Sequence, residues 1–333
     1  MPAGTTKAAA QDELNSIVDR LKLGNYIPAK KVPTFQAVCL EWLEHKKMNL
    51  RPTTWKVYEG HTRNHFNEFL SLRVDQINTS MVEKFITERQ IQRINLSTLK
   101  KILVSLGQIF SLAVKRGYCL KNPVSEADRP RSQGTEQDDK IHVLTREQIC
   151  AFLEQVKEQK YKTLLTLAIF SGARQGELLG LKWTDIDWQN SQVHIQRTFN
   201  NRGIYATKTK GSNRRVDLGP ATIKALKEWR LACPPGKLGL VFPTSTGQPM
   251  NHNNMVNRHF RPALKAADID RIRFHDLRHT YASMLLEHGE NIKYIQSQLG
   301  HSSPTVTLNV YAHLMKSTNQ AAARRLEQSV LNG

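Results

Sequence analysis

Cysteine is scarce in this chain of 333 residues, and its four copies, Cys39, Cys119, Cys150 and Cys233, stand far apart. They form neither the close pairs of a zinc site nor a disulfide framework, so they are expected as reduced packing residues. Long apolar runs are missing as well. The most apolar stretch, Leu164 to Ala173, falls well short of the roughly 20 residues that cross a bilayer. The opening of the chain is polar and mixed in charge, and neither a basic amphipathic helix nor a lipidation signal is evident. No membrane partner is therefore expected, and the chain reads as soluble and cytoplasmic. Acidic residues are the third shortage, 29 against 48 lysines and arginines, for a net charge of +19. Such a balance favours a polyanion over an acidic small molecule, and nucleic acid is the first candidate.

A chain of this length should hold about two domains. Residues 1–32 read as an N-terminal helix and linker, with Leu14, Ile17, Val18 and Leu21 at helical spacing before Gly24. Residues 33–123 carry helical periodicity in four runs, Phe35 to His45, Thr53 to Leu70, Ser80 to Gln90 and Ser97 to Lys115. Residues 124–142 are rich in Pro, Ser, Asp, Gln and Gly, the composition of a linker. Residues 143–333 open with Thr145 and Gln148 at capping-box spacing. Three short alternating runs follow, Gln192 to Thr198, Gly203 to Lys208 and Arg214 to Leu218, and predict one small antiparallel sheet. Helices then resume. The fold class expected is mainly α with a small antiparallel β-sheet (α+β).

Five pieces of the sequence combine into one chemistry. They are Arg174 between Gly172 and Gly176 with Glu177 just beyond, Lys208 in a turn-like run that also holds Lys210, His275-Asp276-Leu277-Arg278-His279 at the head of a helix, His301 after Gly300, and Tyr311. Phosphodiester transfer without a metal needs cations on the nonbridging oxygens, an in-line nucleophile and an acid for the leaving oxygen. Arginine forks suit the phosphate, histidines move protons near neutrality, a tyrosine hydroxyl can attack and a lysine can protonate the departing oxygen. His275 and His279, four apart, would also suit zinc on a helix face, but the customary glutamate base is missing and a third ligand is not evident. No cofactor is expected.

In order and spacing these pieces resemble the tyrosine recombinase or phage-type integrase family, with Trp183 and Asp185 after the arginine box as in that family. The resemblance covers nearly the whole chain. It implies a helical core-binding domain over Phe35 to Pro123 and a catalytic domain beyond it. It further implies that Arg174 and Arg278 bind the scissile phosphate, Tyr311 becomes a 3′-phosphotyrosine, and His275 accepts a proton or binds phosphate. His301 would donate a hydrogen bond, Lys208 act as general acid with Lys210 as the lesser candidate, and Glu177 support the pocket. Double-stranded DNA is the implied partner, bound by a homotetramer on two duplexes, with a DNA-bending accessory protein. Many such integrases begin with an arm-binding domain, which is expected here as absent or truncated. A tail helix from His313 to Gly333 is expected to dock on a neighbouring protomer. Two other readings remain open on sequence, a type IB topoisomerase and a catalytically inert DNA-binding regulator.

Overall fold

The computed structural model describes residues 32–130, 142–200, 203–206 and 210–301, with scattered positions before and after them. Most of the expected opening helix and most of the tail helix, together with Lys208 and Tyr311, lie outside the described residues. The chain divides into two compact units, Met1–Asp138 and Asp139–Gly333.

In the first unit, helices α1 (Phe35–Asn49), α2 (Pro52–His65), α3 (Thr79–Ile91), α4 (Leu96–Lys115) and the short α5 (Pro123–Glu126) share one core. Local chemistry starts each long helix. Thr34 accepts from the Ala37 amide, Asn78 from that of Met81 and Asn95 from that of Ser97, while α2 begins on Pro52, whose missing N–H costs nothing in a first turn. The run expected as helix to Leu70 stops at His65 instead. Beyond it the chain turns so that Phe66 and Phe69 meet Phe35 edge-on, with ring centroids 6.0 and 5.9 Å away. Burying those rings outweighs continuing the helix. On length and composition α4 would pass for a membrane span, yet Leu99, Ile102, Leu103, Leu106, Ile109 and Phe110 are all buried in this core. Val124 and Ala127, at the head of the stretch expected as linker, are buried there too.

The second unit is built on a larger core around α7 (Gln159–Ser171). Before it comes α6 (Arg146–Gln155), closed by both hydrogen bonds of the Thr145–Gln148 capping box. After it come α8 (Gln175–Leu179), β1 (Ile186–Asp187), β2 (Gln192–Ile195), β3 (Arg197–Asn200), β4 (Gly203–Ala206) and β5 (Arg214–Asp217). Then follow α9 (Pro220–Ala232), α10 (His252–Met255), a π turn (Val256–Phe260), α11 (Arg261–Ala266), α12 (Asp276–Glu287) and α13 (Ile292–Leu299).

The expected single sheet is two. Strands β1, β2 and β5 form an antiparallel sheet in that order, with Val193 opposite Val216 and Ile195 opposite Arg214, while β3 and β4 pair separately. The run from Gln192 to Thr198 breaks at Gln196 because a buried carboxylate pulls on its far half. Asp185 accepts from the Gln196 amide at 2.7 Å and pairs with Arg197. Satisfying that buried charge outweighs an unbroken ladder.

Candidate active site

The site is assembled where α7, α12 and α13 end or begin. Helix α7 ends at Gly172 in the left-handed region, φ 57°, where a Cβ would stand 2.5 Å from the Tyr281 ring. Only glycine fits both demands. The turn delivers Arg174 to the head of α8, where its backbone N–H and its Nη1 donate to the Glu177 carboxylate at 2.9 and 2.8 Å. Helix α13 ends in the same manner at Gly300, φ 66°, and presents His301.

Arg278, on the first turn of α12, joins these ends. It is 3% exposed and donates to the carbonyls of Gly172 and Leu299, at the C-termini of α7 and α13. A buried guanidinium is well placed there, since unpaired carbonyls gather partial negative charge at helix C-termini. His275 caps the same helix, with the His279 ring 5.1 Å away and nearly perpendicular to it.

These groups are close enough to act on one another's titration. Burial, then the fields of His279, Arg278 and Arg174, push the His275 imidazole down to about 4. Burial, then Arg278, Arg174 and Arg214, take His301 to about 4 as well. Both rings are therefore neutral at pH 7. Burial alone would raise the Glu177 carboxyl, but the charge and hydrogen bonds of Arg214, joined by Arg174, hold it below the usual range.

Of the residues singled out in the sequence, Arg174, Glu177, His275, Arg278 and His301 thus share one electropositive locality. Lys208 and Tyr311 lie outside the described residues, as does the Lys210 side chain, although its backbone forms a 3₁₀ turn, Lys210–Ser212. That turn approaches the site, because a Cβ on Gly300 would lie 2.6 Å from the Gly211 carbonyl oxygen. Asp276, in the position of a zincin base, is fully buried and already accepts from the Arg273 amide at 2.7 Å and from its guanidinium. Among the described residues no group of three or more His, Cys, Asp or Glu side chains is placed to hold a metal.

Residues 142–318 match the phage integrase family, and residues 34–89 match the N-terminal SAM-like domain of phage integrases. A "tyrosine recombinase XerC-like" protein of Caldanaerobacter subterraneus is 30% identical, the match spanning 97% of this chain and 90% of the relative. The chain belongs to the phage integrase family, the tyrosine recombinases. It is a site-specific recombinase, an enzyme that cleaves and rejoins DNA strands. The ICEBs1 integrase of Bacillus subtilis is 26% identical over 78% of this chain and 73% of that protein. Among solved structures, the Tn1549 transposon integrase in complex with a circular intermediate DNA shares the fold, with TM-score 0.72, 20% identity and coverage of 89% of this chain and 99% of the other. A lambda integrase tetramer bound to a Holliday junction shares it too, with TM-score 0.65, 17% identity and coverage of 90% and 89%.

The recombinase also contains site residues that the motifs did not disclose. Arg214 is buried and donates to Glu177 at 2.9 Å. Its signal was in the strand alternation, where Arg214 and Val216 share the inward phase of β5 while Arg215 and Asp217 point out. A charge at an inward position calls for a buried partner. Asp276 was visible only as a substitute for a glutamate. Through its backbone carbonyl it holds the Thr280 hydroxyl, which in turn accepts from the Leu144 amide and ties α12 to the start of the unit.

Proposed function

We propose that this recombinase works through Tyr311, as the integrase of a bacterial mobile element or phage acting in the cytoplasm on nucleoid DNA. Tyr311 attacks the scissile phosphorus in line, and the phosphorus–O5′ bond breaks as the phosphorus–O(Tyr) bond forms. The tyrosine proton passes to His275, neutral at the outset, and the departing 5′-oxygen takes a proton from Lys208. Arg174 and Arg278 hold the nonbridging oxygens, His301 adds a hydrogen bond and Glu177 orients Arg174. The 3′-phosphotyrosine conserves the bond energy, so a 5′-hydroxyl from the partner duplex reseals the strand without ATP, and the two arginines supply the positive charge that a metal would otherwise bring. Four protomers on two duplexes pass through a Holliday junction, aided by an accessory protein that bends DNA. In this reading residues 33–127, including the buried Val124 and Ala127, grip the duplex as the core-binding domain, 128–142 link it, and 143–333 catalyse.

The observation that carries this reading is the gathering of two arginines and two neutral histidines around the ends of α7, α12 and α13. Such an array stabilises charge on a phosphoryl group and lowers the pKa of a hydroxyl brought into it. Its test is Tyr311→Phe, which removes only the attacking oxygen. The variant should bind crossover-site DNA with unchanged affinity and yield no covalent adduct on a denaturing gel. An adduct formed by this variant would assign the nucleophile elsewhere.

A further inference from the structure

Arg214 is a buried cation for which the mechanism above has no use. Its guanidinium reaches three separate pieces of the catalytic unit. Nη2 donates to Glu177 Oε2 at 2.9 Å and Nη1 to Oε1 at 3.3 Å. Nε donates to the Gln298 carbonyl at 2.6 Å, near the end of α13, and Nη1 also reaches the Ser212 carbonyl at 3.3 Å. The same carboxylate receives Arg174 on both oxygens, Nη1 on Oε1 and the backbone N–H on Oε2. Two guanidinium groups therefore share one carboxylate.

That sharing decides where the surplus charge goes. The Arg214 side chain is 5% exposed and the Glu177 side chain 3%, whereas that of Arg174 is 38% exposed. The buried pair neutralises itself, and Arg174 faces outward with its charge uncancelled. If Arg214 were absent, Glu177 would have Arg174 as its remaining guanidinium partner and would draw it back from an incoming anion. A lysine could offer one ammonium to Glu177 but could not reach the Gln298 carbonyl in the same geometry, since only the planar fork spans both.

We infer that Arg214 is a positioning residue of the phosphate clamp: it holds Glu177 from behind so that Glu177 orients Arg174 without cancelling it, and it fastens to that pair the helix end that delivers His301. The inference rests on the reading that Arg174 binds the scissile phosphate.

The test uses the full chain and DNA duplexes carrying its own crossover site, taken from the junctions flanking its gene. Three scissile linkages are compared: the ordinary phosphodiester, a methylphosphonate and a 5′-bridging phosphorothiolate. The methylphosphonate is uncharged and asks less of a cationic clamp, whereas the sulfur changes only the leaving group. Arg214→Met should bind DNA normally and cleave the phosphodiester slower by roughly tenfold to a hundredfold, a common consequence of removing the group that supports a reacting side chain. The methylphosphonate should largely close that gap, and the sulfur should leave it open. Arg214→Lys, which keeps the buried charge and guards against simple misfolding, should show a smaller loss with the same pattern across linkages.

Equal losses on all three linkages, with a lowered melting temperature, would make Arg214 a brace for the fold and overturn the inference. Arg214→Lys cleaving like the unmodified enzyme would overturn the requirement for the fork. Arg174→Ala is the control that separates the two levels. If it cleaves normally the clamp reading itself fails, and if it is slow while Arg214→Met is not, only the role of Arg214 falls.

Discussion

A neutral imidazole beside two arginines follows from burial, and it makes the histidines of this site separable from ordinary ones. With folded values near 4 against 6.5 for a free imidazole, His275 and His301 bind fewer protons in the folded than in the unfolded state between those limits. The sign is therefore that stability is complete above about pH 6.5 and is lost as pH falls toward 4. Histidine side-chain NMR on the DNA-free protein should find both rings neutral at pH 5.5, and a midpoint near 6.5 for either would contradict its burial among the arginines. Lys208 is tested by chemistry on the other side of the phosphorus. Lys208→Ala should lose about a hundredfold or more on ordinary DNA, the usual worth of a general acid. A 5′-thiolate leaves unprotonated, its conjugate acid lying near the roughly 8.5 of a free thiol, so the sulfur-substituted strand should largely restore cleavage. Arg174→Ala should stay slow on both strands. Rescue of Lys210→Ala instead would shift the acid two residues along.

At the scale of elements, the site depends on helix ends more than on helix faces. Gly172 and Gly300 both stop a helix in the left-handed region, and Arg278 reads the carbonyls that those stops expose. Gly172→Ala should therefore act twice. The left-handed backbone costs an alanine about 1–2 kcal/mol, and a Cβ 2.5 Å from the Tyr281 ring adds roughly 1–3 kcal/mol of overpacking. Thermal unfolding should show the sum, and cleavage should fall further than stability alone predicts because Arg174 and Arg278 are both placed by this turn. A variant with unchanged melting temperature and cleavage would show that the turn relaxes without moving the arginines. The division of the expected sheet belongs to this scale as well. Alternation along Gln192 to Thr198 is the same for one strand as for two, and the break comes from Asp185, a carboxylate that lies outside the run.

For the molecule as a whole, the charge of +19 is the term that acts at a distance. Each phosphate neutralised releases condensed counterions, so the logarithm of affinity should fall linearly with that of salt at about 0.9 per contact. Binding of a crossover-site duplex should therefore weaken by at least about tenfold between roughly 50 and 200 mM salt. A flat dependence, measured by fluorescence anisotropy, would mean that the basic residues do not line the DNA path. Each unit has its own core, one gathered around Phe35 and Phe110 and the other around Leu164, Leu165 and Phe242.

By itself the sequence determined the helical periodicity, the Thr145–Gln148 cap and the basic balance, and it singled out Arg174, His275, Arg278 and His301 as candidates that the structure brings to one place. Those are local or compositional properties, and a repeat of 3.6 residues or a short motif needs no knowledge of what lies opposite. The tertiary structure decided where helix gives way to aromatic packing at Phe66, how Gln196 divides two sheets, and that Arg214 stands behind Glu177. Each of these turns on a partner outside the local run, Phe35 for the first, Asp185 for the second and Glu177 for the third. The free energy of burying a ring or pairing a charge is settled only when that partner arrives, and no local pattern records which one it will be.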